Sequence, residues 1–229
     1  MAGKGGVPQN IWDNIDLKVP GGRRKILLHT CCAPCSGFLV ELMLKKDLDI
    51  TVLFYNPNIH PKKEYEIRKQ ENIRFAEKFG LPFVDGDYDV DNWFDNTEGM
   101  GNDPERGRRC GVCFDMRFLY TAKYAEANGF EIFTTSLAIS RHKDKNQVDA
   151  SGHLAASMVK GVEYWDYNWR KKGGSNRNQE ISKEQGFYRQ QYCGCVYSLR
   201  DANNWRKEKG LEPLAIGTNA QIIAESKTV

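Results

Sequence analysis

The chain reads as an α/β protein built on a parallel, doubly wound sheet, and three observations predict it. Short apolar runs alternate with helix-like stretches, the connections between them are brief, and the first run is solidly apolar, as in a strand covered on both faces. In order, residues 25–30 (Lys-Ile-Leu-Leu-His-Thr) predict a buried strand, and 37–46 a helix. Residues 50–55 predict a second strand, ended by a loop over 56–61 whose Asn-Pro and His-Pro steps disfavour helix. Ile67, Phe75, Ala76 and Phe79, set among charges and closed by Gly80, predict an amphipathic helix over 64–79.

A short strand is expected over 81–84, and loop or short helix over 85–109. A long helix follows over 110–128, closed by Gly129, and then a strand over 131–135. From residue 162 onward the pattern is irregular or helical: an aromatic-basic stretch, a Gly/Ser/Asn-rich connection to Asn178, and a capped helical turn over 182–188. The expected organisation is an extension over 1–24 without periodic pattern, one catalytic α/β domain over 25–200, and a C-terminal helix or tail over 201–229. In a sheet of this kind, ligands bind beyond the carboxyl ends of the strands. Residues 31–35 and 136–145 both fall at that edge, so they are expected to face one crevice.

At 229 residues the chain can bury one sizeable core. Its 33 basic and 30 acidic residues leave a net charge of +3, too mild to mark a nucleic-acid binder by bulk charge, although local patches stay open. The first 24 residues contain Asp13 and Asp16 and no apolar h-region, and no apolar run reaches transmembrane length. A cytoplasmic location is expected, where paired cysteines serve as metal ligands or catalytic thiols more often than as disulfides.

The seven cysteines stand in three clusters: Cys31, Cys32 and Cys35; Cys110 and Cys113; Cys193 and Cys195. Cys110 and Cys113 open a helix, where unpaired amides and the helix dipole favour anionic sulfur. With the first cluster they supply the four thiolates of an iron–sulfur or zinc site. Placement in the active crevice favours iron–sulfur over a remote structural zinc, because Cys31-Cys32 is not a chelating turn of the usual zinc kind. Cys193-Gly194-Cys195 reads as a redox couple, since Gly194 gives the backbone freedom to close a small and readily reduced ring; a further pair of metal ligands is the alternative. The loop after the first strand carries sulfur and Pro34 in place of glycines, so ATP is not expected there.

Several ordered motifs extend the reading: Leu28-His29-Thr30-Cys31-Cys32-Ala33-Pro34-Cys35-Ser36, Tyr55-Asn56-Pro57-Asn58-Ile59-His60-Pro61 with Glu64-Tyr65 and Arg68, Arg109-Cys110-Gly111-Val112-Cys113, Thr134-Thr135-Ser136 with Ser140 and His142-Lys143, and Tyr188-Arg189-Gln190-Gln191-Tyr192-Cys193-Gly194-Cys195. Over residues 25–200 these resemble the cobalamin-independent epoxyqueuosine reductases of the QueH family. The resemblance implies a fold similar to the adenine-nucleotide α-hydrolase-like (HUP or PP-loop-like) group, and reduction of the epoxide of epoxyqueuosine at the wobble position of tRNA, the last step in making queuosine. It implies Cys31, Cys32, Cys110 and Cys113 as ligands of a four-iron–four-sulfur (4Fe–4S) cluster, Cys193 and Cys195 as a redox-active pair, and a second, mononuclear iron for which Cys35 is the first spare thiol.

Deoxygenation needs two electrons, a donor of electrons that the sequence does not identify, and an acid for the departing oxygen. His29, His60 and His142 are candidates for that acid by residue type. Arg109, His142, Lys143 and Arg170 are the candidates for contact with the tRNA, and Trp169-Arg170-Lys171-Lys172 joins an aromatic to three cations. An ATP-dependent tRNA thiolase on a similar sheet, or a structural zinc protein that binds RNA, are the rival readings.

Overall fold

A computed structural model describes residues 15–217. Five parallel strands form one sheet in the order β3-β2-β1-β4-β5, with β1 at Lys25–His29, β2 at Asp49–Phe54, β3 at Phe83–Asp85, β4 at Ile132–Thr135 and β5 at Glu163–Tyr164. The predicted α/β class with a parallel sheet is what the chain adopts. Ile26, Leu27 and Leu28 of β1 are wholly buried, as the unbroken apolar run requires of a strand covered on both faces.

The crossovers are helices α1 (Ala33–Lys45), α2 (Lys62–Lys78), α4 (Arg108–Ala127) and α5 (Lys145–Ser157), with the short α3 (Val90–Asn96) before α4. Right-handed crossovers put α1 and α2 on one face and α4 and α5 on the other. Chain order reverses between β1 and β4, so a crevice opens where the connections leaving those two strands part.

Three elements differ from the sequence expectation, one of them β5, which lies where irregular or helical chain is expected. Helix α1 begins at Ala33, four residues before the expected residue 37, because Pro34 sits in its first turn, where a missing N–H costs nothing. The stretch expected to be a Gly/Ser/Asn-rich connection is helix α6 (Gly174–Glu184). Tertiary packing overrides its weak propensity: Asn178 donates from Nδ2 to the Pro34 carbonyl and accepts the Phe38 amide at 3.1 Å. A Cβ at Gly174 would lie 2.6 Å from the Phe38 ring, so glycine is what lets α6 settle against α1.

Helix α7 (Val196–Glu208) follows the last cysteine pair and crosses the expected boundary at 200/201. In the segment assigned to an extension, Ile15 is 2% exposed and Leu17 and Val19 pack on the core. Residues 1–14 and 218–229 lie outside the described residues. Among the described residues, no helix is long and apolar enough to cross a membrane.

Candidate active site

The chain turns sharply where β1 ends. The Cys31 amide donates to Ser136 Oγ at 3.4 Å, tying the turn to the end of β4, and Cys32 is the extended N-cap of α1. Early entry into the helix brings Cys35 back over the turn, so the sulfurs of Cys31, Cys32 and Cys35 lie within 4.8 Å of one another. Hydrogen bonds from the Cys32 and Cys35 thiols, aided by the Arg117 and Arg68 guanidiniums, hold the Cys31 thiol well below its usual range. The same bonds push Cys32 and Cys35 upward. The trio thus favours charge on Cys31 over its two neighbours, and Gln190 Nε2 donates to Cys32 Sγ at 3.1 Å.

Cys31 and Cys35 open onto a cavity of about 230 Å³, whose other walls include Arg68, Arg117, Lys143 and Cys193. Arg117 sits on α4, one turn beyond Cys113. It donates to Asn56 Oδ1 at 2.7 Å, and Asn56 in turn donates to the Thr30 carbonyl at 2.8 Å. One guanidinium thus stands near enough to both Cys31 and Cys113 to favour their charged forms.

Cys110 and Cys113 are not part of the close trio. Burial pushes the Cys110 thiol up to about 11, and Cys193, Cys113 and Lys143 stand near enough to act on its charge. Burial raises Cys113 as well, and its side chain packs with Trp93 and Cys195. The seven sulfurs thus fall into the trio at the end of β1 and a second group on α4 and before α7, with Arg117 near both groups.

Cys193 and Cys195 are free thiols in different surroundings. Cys193 Sγ receives a hydrogen bond from Lys143 Nζ at 2.7 Å at the cavity wall, whereas Cys195 is buried and caps α7, accepting the Ser198 amide at 3.4 Å. Gly194 between them has φ 144°, a conformation that favours glycine. The Glu105 carboxylate holds the Lys143 ammonium from the other side at 3.1 Å. Burial opposes the Lys143 charge, yet Cys193 and Glu105 outweigh it and hold the ammonium above its usual range.

The segment carrying this pair is pinned by a buried ion pair. Arg68 meets Glu64 at 2.8 Å, with side-chain exposures of 2% and 0%, and donates to the carbonyls of Cys193 and Tyr192. Tyr188 donates to the second Glu64 oxygen at 2.7 Å. Arg68→Met leaves Glu64 charged and unpaired in the interior, so it should cost about 3–5 kcal/mol. Urea unfolding of the metal-free protein measures this, and Glu64→Gln on that background should recover a substantial part.

The other predicted contacts are distributed unevenly. His142 and Lys143 line the cavity. Arg109 is 2% exposed, donates to the Met100 carbonyl at 2.7 Å and lies over the Tyr197 ring. Arg170 donates to the carbonyls of Ser140 and Lys143, fixing the loop that carries Lys143. Trp169 is wholly buried in the core, while Lys171 and Lys172 are exposed.

Burial keeps two of the candidate acids neutral, although His60 Nε2 is left without a hydrogen-bond partner among the described residues. Burial pulls His29 down to about 3, and its ring nitrogens meet Thr135 Oγ1 and the Tyr55 carbonyl. Burial pulls His60 down to about 4, and its Nδ1 accepts the Val196 amide. Arg117 and Glu105 are functional residues that no motif in the sequence marks. The signal for Arg117 was its place four residues after Cys113, hence on the same helical face.

Comparison with known proteins identifies the family. The family model described as epoxyqueuosine reductase QueH matches residues 26–201. Proteins named epoxyqueuosine reductase QueH are similar to this chain across most of its length. The one from Haemophilus influenzae is 60% identical over 88% of this chain and 82% of its own, and that from Acinetobacter baylyi 57% identical over 89% and 93%. The one from Thermotoga maritima is 34% identical over 82% and 94%. The chain belongs to the epoxyqueuosine reductase QueH family.

Proposed function

We propose that this chain reduces the epoxide of epoxyqueuosine at the wobble position of tRNA, leaving the alkene of queuosine. The observation that carries the reading is the convergence of Cys31, Cys35, Lys143 and Cys193 on one cavity at the point where strand order reverses. The donor set suits iron: three sulfurs within 4.8 Å, one of them already drawn toward thiolate, stand beside two buried guanidiniums that offset anionic charge.

Cys31 and Cys32 from the end of β1, with Cys110 and Cys113 from the start of α4, would hold a 4Fe–4S cluster. Cys35 is the thiol left for a second iron. Bound there, the cluster would supply electrons to the epoxide carbons. The chain's own groups account for the rest.

Deoxygenation consumes two electrons and two protons: two C–O bonds break, a C=C bond forms and the oxygen leaves as water. A Cys193/Cys195 dithiol closing to a disulfide releases the same two electrons and two protons, so the pair matches the reaction one to one. An electron donor outside this chain then restores the dithiol. Lys143, with its ammonium on the wall, is the proton source nearest the sulfurs, and a group so placed protonates a departing oxygen as it leaves. The substrate is a single-stranded anticodon loop with its modified base turned out, which puts the reaction in the cytoplasm.

The test is anaerobic incubation of the iron-loaded protein with epoxide-bearing tRNA and a strong reductant, followed by nucleoside mass spectrometry. The expected result is the loss of one oxygen from the modified nucleoside. Protein that purifies with zinc and no iron, or tRNA whose mass does not change, would sink the proposal.

A further inference from the structure

A second cavity, also of about 230 Å³, adjoins the first and shares Cys35, Ser140, His142 and Gln190 with it as common wall. Its outer rim runs from the 139–142 loop across α6 to the 189–190 segment. Three properties of the lining point to an anionic, polar occupant.

Arg141 and Arg189 are exposed cations on this lining, which holds no carboxylate. Arg189 has no ion pair or hydrogen bond among the described residues, and the Arg141 side chain meets only His142, at 3.4 Å. On the same lining Ser182 is 6% exposed and its hydroxyl has no hydrogen-bond partner. A buried hydroxyl without a partner is destabilising in the free protein, and an acceptor arriving from a ligand removes that cost.

We propose that this second cavity binds the phosphodiester and ribose of the nucleotide next to the modified one, so that the enzyme grips at least a dinucleotide of single strand. The proposal rests on the reading of the first cavity as the epoxide site. The division of labour follows from charge. The first cavity's cations are already engaged, Arg68 by Glu64, Arg117 by Asn56 and Lys143 by Glu105 and Cys193. Its Glu105 can accept the N–H donors of a guanine-type base edge, whereas Arg141, Arg189 and the Ser182 hydroxyl of the second are left to meet phosphate oxygens. The shared wall at Cys35 and Gln190 lets one continuous strand occupy both.

The probes are an anticodon stem–loop bearing epoxyqueuosine, and the same RNA with a neutral methylphosphonate on either side of the modified nucleotide. Arg141→Ala and Arg189→Ala should each weaken binding roughly tenfold at low salt. Together they should lower the slope of log affinity against log salt by about 0.7, one single-strand phosphate contact. One of the two neutral linkages should reproduce the loss in the wild type and add little to it in the double variant.

Ser182→Ala separates binding from structure: its melting temperature should stay the same or rise, while affinity for the native linkage falls. Unchanged affinity and salt slope in the double variant would overturn the subsite, as would both neutral linkages binding like the native one. If the wild type reduces this RNA and the double variant keeps full kcat/KM at low substrate, the subsite alone falls. If the wild type does not reduce it, the reading of the first cavity falls and the subsite with it.

Discussion

Cys110→Ala, purified and reconstituted without oxygen, should be colourless and without turnover, while its metal-free form remains as stable as the wild type to within about 1.5 kcal/mol. The two halves of this expectation come from different parts of the structure. In the metal-free protein the Cys110 sulfur is half-buried and accepts one hydrogen bond, from the Arg106 amide at 3.3 Å. Losing that bond and a small side chain costs no more than an ordinary hydrogen bond. As a ligand the same sulfur has no substitute on α4 except Cys113, itself one of the four proposed ligands.

The thiol is pushed up to about 11, so loading must displace a proton from it. Metal affinity should therefore fall as the pH is lowered, in the wild type and not through any loss of fold. Iron and sulfide analysis, the visible spectrum and single-turnover assays read the outcome. A brown variant with wild-type rates would remove Cys110 from the ligand set. Cys35→Ala, which deletes the thiol outside the proposed four, should keep the colour.

The parallel sheet was legible because β1, β2 and β4 are mostly buried runs whose apolar residues leave little choice of partner face. β5 is two residues long, and nothing in Glu163-Tyr164 alone distinguishes it from a turn; it exists because β4 offers it an edge. Helix α6 was hidden for a related reason: Gly174, Ser175 and Asn176 favour a loop until contact with α1 decides the matter. Clustering along the chain made the sulfurs legible, but their grouping in space depended on where α1 begins, and Pro34 moved that start by one helical turn. The cations were least legible. Arg109 and Arg170 look like ligands for phosphate in sequence, yet both are committed to main-chain carbonyls, whereas Arg117, which stands near two sulfur groups, carries no local signal beyond its spacing from Cys113.

Lys143→Met should lower kcat by roughly 10²–10⁴-fold, the range for loss of a positioned acid, with the iron content and spectrum unchanged. The side chain is 10% exposed and is held at both ends of its charge, by Cys193 at 2.7 Å and Glu105 at 3.1 Å. Methionine keeps the length and apolar stem, so the loop over 140–143 stays fixed by Arg170, which bonds to main-chain carbonyls and not to the lysine side chain. The change therefore removes a charge and its protons with little else. Glu105 becomes unpaired, but it lies 46% exposed at the cavity mouth, where water can solvate it.

A role confined to folding predicts a lower melting temperature and normal kcat in the molecules that remain folded. A role in gripping RNA predicts a raised KM and an unchanged kcat. A group acting at the sulfur-lined end of the cavity, by delivering a proton or through its hydrogen bond to Cys193 Sγ, predicts a kcat defect at saturating tRNA with the chromophore intact. A defect that persists in a single turnover of the pre-reduced protein at fixed pH assigns the proton. Normal kcat in the brown Lys143→Met protein would assign the proton to another donor, and His142 on the same wall would be the next residue to replace.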